Sequence, residues 1–60
     1  MTSKEKFYKI YGNLPLATRD EIVLALNGEG ISWRVAKLET DNNTPLSKII
    51  LEKLEELRII

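Results

Sequence analysis

This sixty-residue chain contains no cysteine and no histidine. The first absence excludes disulfides as a source of stability, and the two together exclude the familiar zinc sites. No apolar run approaches the roughly 20 residues that a membrane-spanning helix needs, so no membrane partner is expected. Met1 to Lys9 carries lysines with no apolar stretch after them, which does not fit a signal peptide, and a soluble cytoplasmic protein is expected. Neither sign of charge is in excess, since nine basic residues cancel nine acidic ones. That balance disfavours a nucleic-acid partner, because non-specific affinity comes from phosphates neutralised by Lys and Arg.

What the chain does contain is the composition of a soluble globular protein: 43% hydrophobic and 30% charged residues. Residues 1–60 are expected to form a single small domain. A chain this short buries only about 60% of its unfolded surface, so tight helix packing or oligomerisation must support it. The charges are unevenly placed. Lys4, Lys6, Lys9 and Arg19 stand against Glu5 alone, whereas Asp20, Glu21, Glu29, Glu39 and Asp41 outnumber Arg34 and Lys37. Such blocks either orient a partner or form an ordinary solvated surface.

Helix signals recur along the chain. Thr2 with Glu5 three residues on has the spacing of a capping box, and Phe7, Ile10, Tyr11 and Leu14 follow as an apolar stripe. Tyr8 falls off that stripe. Gly12-Asn13 and then Pro15 end the segment. Ser32 can cap a second helix carrying Val35, Ala36 and Leu38, with Ile31 and Ala36 at staple spacing, although Ile31, Trp33 and Val35 also alternate as a longer strand would. Thr44-Pro45 starts the last helix, whose stripe is Leu46, Ile49, Ile50, Leu54 and Leu57, with Lys48, Glu52, Glu55 and Glu56 opposite.

The middle admits two descriptions. Residues 21–26 form a short apolar run ended by Asn27-Gly28, the strongest short hairpin signal, which turns toward Ile31. Capped by Thr18 and closed by Gly28, the same run fits a helix. Its length favours a strand. The fold expected is therefore α+β and mainly helical: a helix, a short β-hairpin and two C-terminal helices. The alternative is an all-α helix-turn-helix protein.

A wider pattern joins these pieces. Phe7-Tyr8, Asn13-Leu14-Pro15-Leu16, Arg19-x-Glu21-Ile22-Val23, Asn27-Gly28-Glu29, Ser32-Trp33-x-Val35-Ala36, Asn42-Asn43-Thr44 and Ile50-Leu51-x-Lys53-Leu54 cover most of the chain. The string resembles a group of small uncharacterised archaeal proteins. That resemblance implies a short hairpin between helices and supplies no activity.

Catalysis has little to stand on. Asn27-Gly28-Glu29-Gly30 lacks the Lys of a phosphate cradle, and turn geometry explains its glycines. The adjacent carboxylates of Asp20-Glu21 and Glu55-Glu56 diverge by about 100° on a helix, which is no acid–base pair. Glu39, Asp41, Asn42 and Asn43 lack the spacing and the glycine of a calcium loop. No enzyme activity, cofactor or metal is therefore expected. Trp33, the only tryptophan, reads as a core anchor.

Association has more. Lys53 falls inside the apolar arc of the last helix, Leu51 lies off the stripe, and Ile59 and Ile60 extend beyond the helix end. Leu51, Lys53, Ile59 and Ile60 are thus the expected interface of a protein–protein interaction domain, with a second copy or another protein as the expected partner. For the alternative, a DNA-binding helix-turn-helix, Thr44, Ser47 and Lys48 are the candidate base-facing residues. Aligned on Ala36, that motif matches at Val35, Leu46 and Ile49 and fails at Glu39 and Asp41. Its second helix also presents an acidic face.

Overall fold

Three hydroxyl side chains, Thr2, Ser32 and Thr44, mark where the chain enters its three helices. In the computed structural model, which describes residues 1–60, the order is α1 (Ser3–Gly12), β1 (Ile22–Leu26), β2 (Glu29–Ser32), α2 (Trp33–Asp41) and α3 (Pro45–Glu56). A short 3-10 turn, Thr18–Asp20, precedes the hairpin. Each capping oxygen accepts a backbone N–H that the first helical turn leaves without a carbonyl, from Glu5, Val35 and Ser47 respectively. Such a cap stabilises its helix by about 1 kcal/mol. Thr2 and Glu5 complete the capping box, and Pro45 occupies a position where no N–H is needed.

Residues 22–26 are a strand, as their length and the turn after them imply. Asn27 and Gly28 both have positive φ, 50° and 81°, as a tight turn between twisted antiparallel strands requires. Leu24 pairs with Ile31 and Leu26 with Glu29. Ile22 faces Ser32, so Val23 is an extra residue, a bulge that bends β1. Leu24 and Ile31 turn inward while Ile22 stays exposed. The Ile22 side chain lies across Gly30, where an added Cβ would come within 2.9 Å of it. The hairpin then runs directly into a helix. Ser32 is both the last residue of β2 and the cap of α2, and the Trp33 N–H donates back to the Glu21 carbonyl at 3.2 Å.

The core is Phe7, Tyr11, Leu24, Ile31, Trp33, Ala36, Ile50 and Leu54. Phe7 has no exposed surface, and the rings of Tyr8, Tyr11 and Trp33 stand 5.9, 5.8 and 6.0 Å from it. Trp33 is thus the anchor its size suggests. The radius of gyration, 10.4 Å, is about that of any folded chain of this length.

Which face each helix buries differs from the pattern. On α2 the buried residues are Trp33, Ala36 and Thr40, while Val35 and Leu38 face solvent. Thr40 tolerates burial because its hydroxyl donates to the Ala36 carbonyl at 2.7 Å. On α3 the buried residues are Ser47, Ile50 and Leu54, while Leu46, Ile49 and Leu57 are exposed. The six apolar residues of α3 and its cap span an arc of about 200° at ~100° per residue, wider than the core covers. Leu51 closes the inner edge of that arc and packs, partly buried, against the core. This corrects its placement off the stripe.

Ile59 and Ile60 are corrected in the same way, and the cause is the helix end. Arg58 takes φ 58°, so its N–H donates to the Glu55 carbonyl and that of Ile59 to Leu54 at 2.9 Å. This left-handed closure folds the chain back, and both isoleucines pack against the core instead of projecting as a tail. The same device ends α2. Asn43, φ 50°, bonds to the Thr40 carbonyl and Thr44 to Glu39, so α3 is capped immediately where α2 stops. Asn accepts that conformation readily, whereas arginine does so at a cost. Replacing Arg58 by glycine should therefore stabilise the protein by about 1 kcal/mol, raising the melting temperature by roughly 4–8 °C. A calorimetric scan showing no rise, or a fall, would count against this account of the turn.

Candidate functional site

Once the core is closed, Met1, Leu16 and Ile22 stay exposed singly, and the other exposed apolar side chains lie in rows on two helix surfaces. The first is the outer half of the α3 arc. Leu46, Ile49 and Leu57 are 37, 48 and 60% exposed and recur with Lys53 at three- and four-residue spacing. Lys53 is exposed and reaches Glu56 at 3.4 Å, a long contact that leaves its ammonium largely solvated. The exposed band of α3 is therefore apolar with one cation in it. Of the residues expected at an interface, only Lys53 belongs to this band, because Leu51, Ile59 and Ile60 are drawn inward.

The second surface is a shallow groove of about 550 Å³, open to solvent and lined by Tyr11, Arg19, Arg34, Val35, Lys37, Leu38 and Asp41. It lies where the end of α1 and the 3-10 turn meet the outer face of α2. The Arg19 guanidinium sits over the Tyr11 ring, 4.5 Å from its centroid, and the Lys37 ammonium is 5.8 Å from the same centroid. Arg34 pairs with Asp20 at 2.6 Å, and Lys37 pairs with Asp41 at 2.6 Å. Arg19 has no carboxylate partner, and its Nε is sheltered from solvent without an acceptor.

These contacts shift several protonation equilibria. The hydrogen bond from Arg34 holds the Asp20 carboxyl below its usual range. Lys37 first, and Tyr8 second, do the same for Asp41. At the other end of the molecule Ser3 and then Lys6, both bonding to Glu55, lower its carboxyl. Tyr8 donates to Asp41, and this bond, helped by burial and the carboxylate charge, pushes the phenol up to about 12. No three acidic side chains converge closely enough to hold a metal ion.

The residues expected to read DNA are mostly spoken for. Ser47 is buried, its hydroxyl donating to the Thr44 carbonyl at 2.6 Å. The Thr44 oxygen accepts the Ser47 N–H and its hydroxyl reaches Glu39 at 3.2 Å. Lys48 alone of the three is exposed. Their inward placement follows from capping, which turns the start of α3 toward its own backbone.

Sequence pattern did not single out the groove. Val35 and Leu38 were visible as an apolar pair three apart, but that spacing suggests a core stripe. Arg19 sits in an irregular segment, where no periodicity says what it will meet. No helix is long and apolar enough to cross a membrane. Comparison with protein-family models, with curated proteins and with solved structures finds no match to this chain.

The Tyr8–Asp41 bond gives a pH signature at both extremes. Because the Tyr8 value is raised above the ordinary 10.0, its share of stability is complete below pH 10 and is lost as the pH rises through about 12. The Asp41 value is lowered, so its share is complete above the usual carboxylate range and is lost as the pH falls through the folded value. Ultraviolet titration of wild type should resolve one tyrosine near pH 12. Asp41→Asn should return that tyrosine toward 10.0. A Tyr8 that titrates ordinarily in wild type would show the bond absent in solution.

Proposed function

We propose that this chain is a non-enzymatic, cytoplasmic protein–protein interaction domain that pairs with a second copy through α3. One observation carries the proposal: half of the apolar arc of α3 remains in solvent after the core is filled. Leu46, Ile49 and Leu57 form a continuous strip along one helix that no other element of the fold covers. A self-complementary strip suits a two-fold pairing in which each copy presents the same face.

A second proposal, a DNA-binding helix-turn-helix, draws support from the three-residue link between α2 and α3. Against it stand the buried Ser47 and an outer face of α3 bearing Glu52, Glu55 and Glu56. Phosphates would meet that face with repulsion. Binding to mixed-sequence duplex is expected to be weak and to vanish at moderate salt. Sub-micromolar binding that is lost in Lys48→Glu would reverse the ranking.

Burying one aliphatic side chain contributes roughly 1.5–3 kcal/mol, so one substitution in the strip should weaken pairing about ten- to a hundredfold. Sedimentation of wild type should show a concentration-dependent dimer, and Ile49→Glu a folded monomer with unchanged helix content. Leu51→Glu should instead lower thermal stability, because that side chain packs against the core. A wild-type protein that stays monomeric at millimolar concentration would refute the pairing.

A further inference from the structure

The groove beside α2 has a different character from the α3 strip, and we infer that it binds an extended acidic segment of another protein, a carboxylate on Arg19 beside an aliphatic side chain on Val35 and Leu38. The inference uses none of the α3 residues, so it stands or falls apart from the pairing proposed above.

Charge on the lining sets the sign of the partner. The lining holds Arg19, Arg34 and Lys37 with one carboxylate, Asp41, which already accepts from both Lys37 and Tyr8, while Asp20 at its edge pairs with Arg34. Of the three cations, Arg34 and Lys37 have carboxylates of their own, and Arg19 has none. Its guanidinium lies over Tyr11, a contact that restrains the side chain before any ligand arrives. A restrained guanidinium suits a carboxylate, because less freedom is lost on binding than for a free side chain.

Val35 and Leu38 set the rest of the partner's chemistry. They stand three residues apart on the solvent side of α2, next to Arg34 and Lys37, and line the same groove. Aliphatic contact gives a bare anion nothing, and it gives a nucleic-acid backbone little, so both are poorer fits than a peptide. The groove's openness argues in the same direction. A small-molecule pocket encloses most of its ligand, whereas this surface supports a chain that lies along it.

The test uses the full chain and a pool of capped hexapeptides, each with two glutamates and one leucine, in every order. Amide chemical shifts of wild type should move saturably at residues 18–20 and 34–38. The best peptide should bind about tenfold more weakly to Arg19→Gln, and about tenfold more weakly when its glutamates are replaced by glutamines. Leu38→Asp, at an exposed position that cannot unfold the core, should also lose binding, whereas Lys48→Gln should not. The inference is overturned if no peptide saturates at millimolar concentration, or if the glutamine peptides bind equally well. It is also overturned if inorganic phosphate or a single-stranded oligonucleotide gives the same shifts with equal or higher affinity. Loss of peptide binding with dimerisation intact would remove this groove and leave the α3 pairing untouched.

Discussion

Phe7 is the residue around which the other elements are arranged. The chain has four aromatic side chains, and the other three stand about 6 Å from this one ring. Tyr8 and Tyr11 share its helix, so the contact that links elements is the one to Trp33, the first residue of α2. Trp33 in turn donates its backbone N–H to Glu21, just before β1. Seating one ring therefore fixes α1, the start of α2 and the base of the hairpin together. Aromatic pairs add about 0.5–1.5 kcal/mol each beyond the area they bury. In a chain without disulfides such a centre has no substitute, and Ile50 and Leu54 of α3 complete it from the remaining side.

Local chemistry was legible in the sequence wherever a residue acts on its own neighbours. Thr2, Ser32 and Thr44 announce helix starts because a hydroxyl bonds an amide three residues away, whatever lies beyond. Asn27-Gly28 announces a hairpin for a similar reason: few residues accept two successive positive φ values. Facing is another matter. Periodicity shows that α3 has an apolar arc, but an arc of about 200° leaves undecided which half turns inward. Burial of Ser47 with Ile50 and Leu54 decides it, and Ser47 looks polar on any scale until its bond to Thr44 is seen. Ile59 and Ile60 were misplaced because their return depends on Arg58 adopting a conformation usually marked by glycine.

The two solvent-facing surfaces divide their chemistry cleanly. The strip on α3 is aliphatic with a single weakly paired lysine, whereas the groove on α2 sets Arg19 and Lys37 against an aromatic ring. Kosmotropic salts strengthen apolar burial, whereas ionic strength screens exposed charges such as Arg34, so the two surfaces differ in the physics that acts on them. The groove residues were hard to foresee because they come from separate parts of the chain. Tyr11 ends α1, Arg19 lies in the 3-10 turn, and Val35 and Leu38 belong to α2. Only the closure around Phe7 brings them to one place.

The bond that Lys6 makes with Glu55, 49 residues away, has a consequence for how quickly the fold is reached. The hairpin closes through a two-residue turn and α2 is joined to α3 by three residues, so these contacts form between near neighbours. Such pieces assemble in about microseconds. Docking α1 onto α3 requires nearly the whole chain to form a loop, and loop-closure entropy rises with its length. Among the pairs of packed elements, α1 with α3 therefore carries the largest loop-closure cost, which slows folding relative to a chain whose helices meet only their neighbours in sequence.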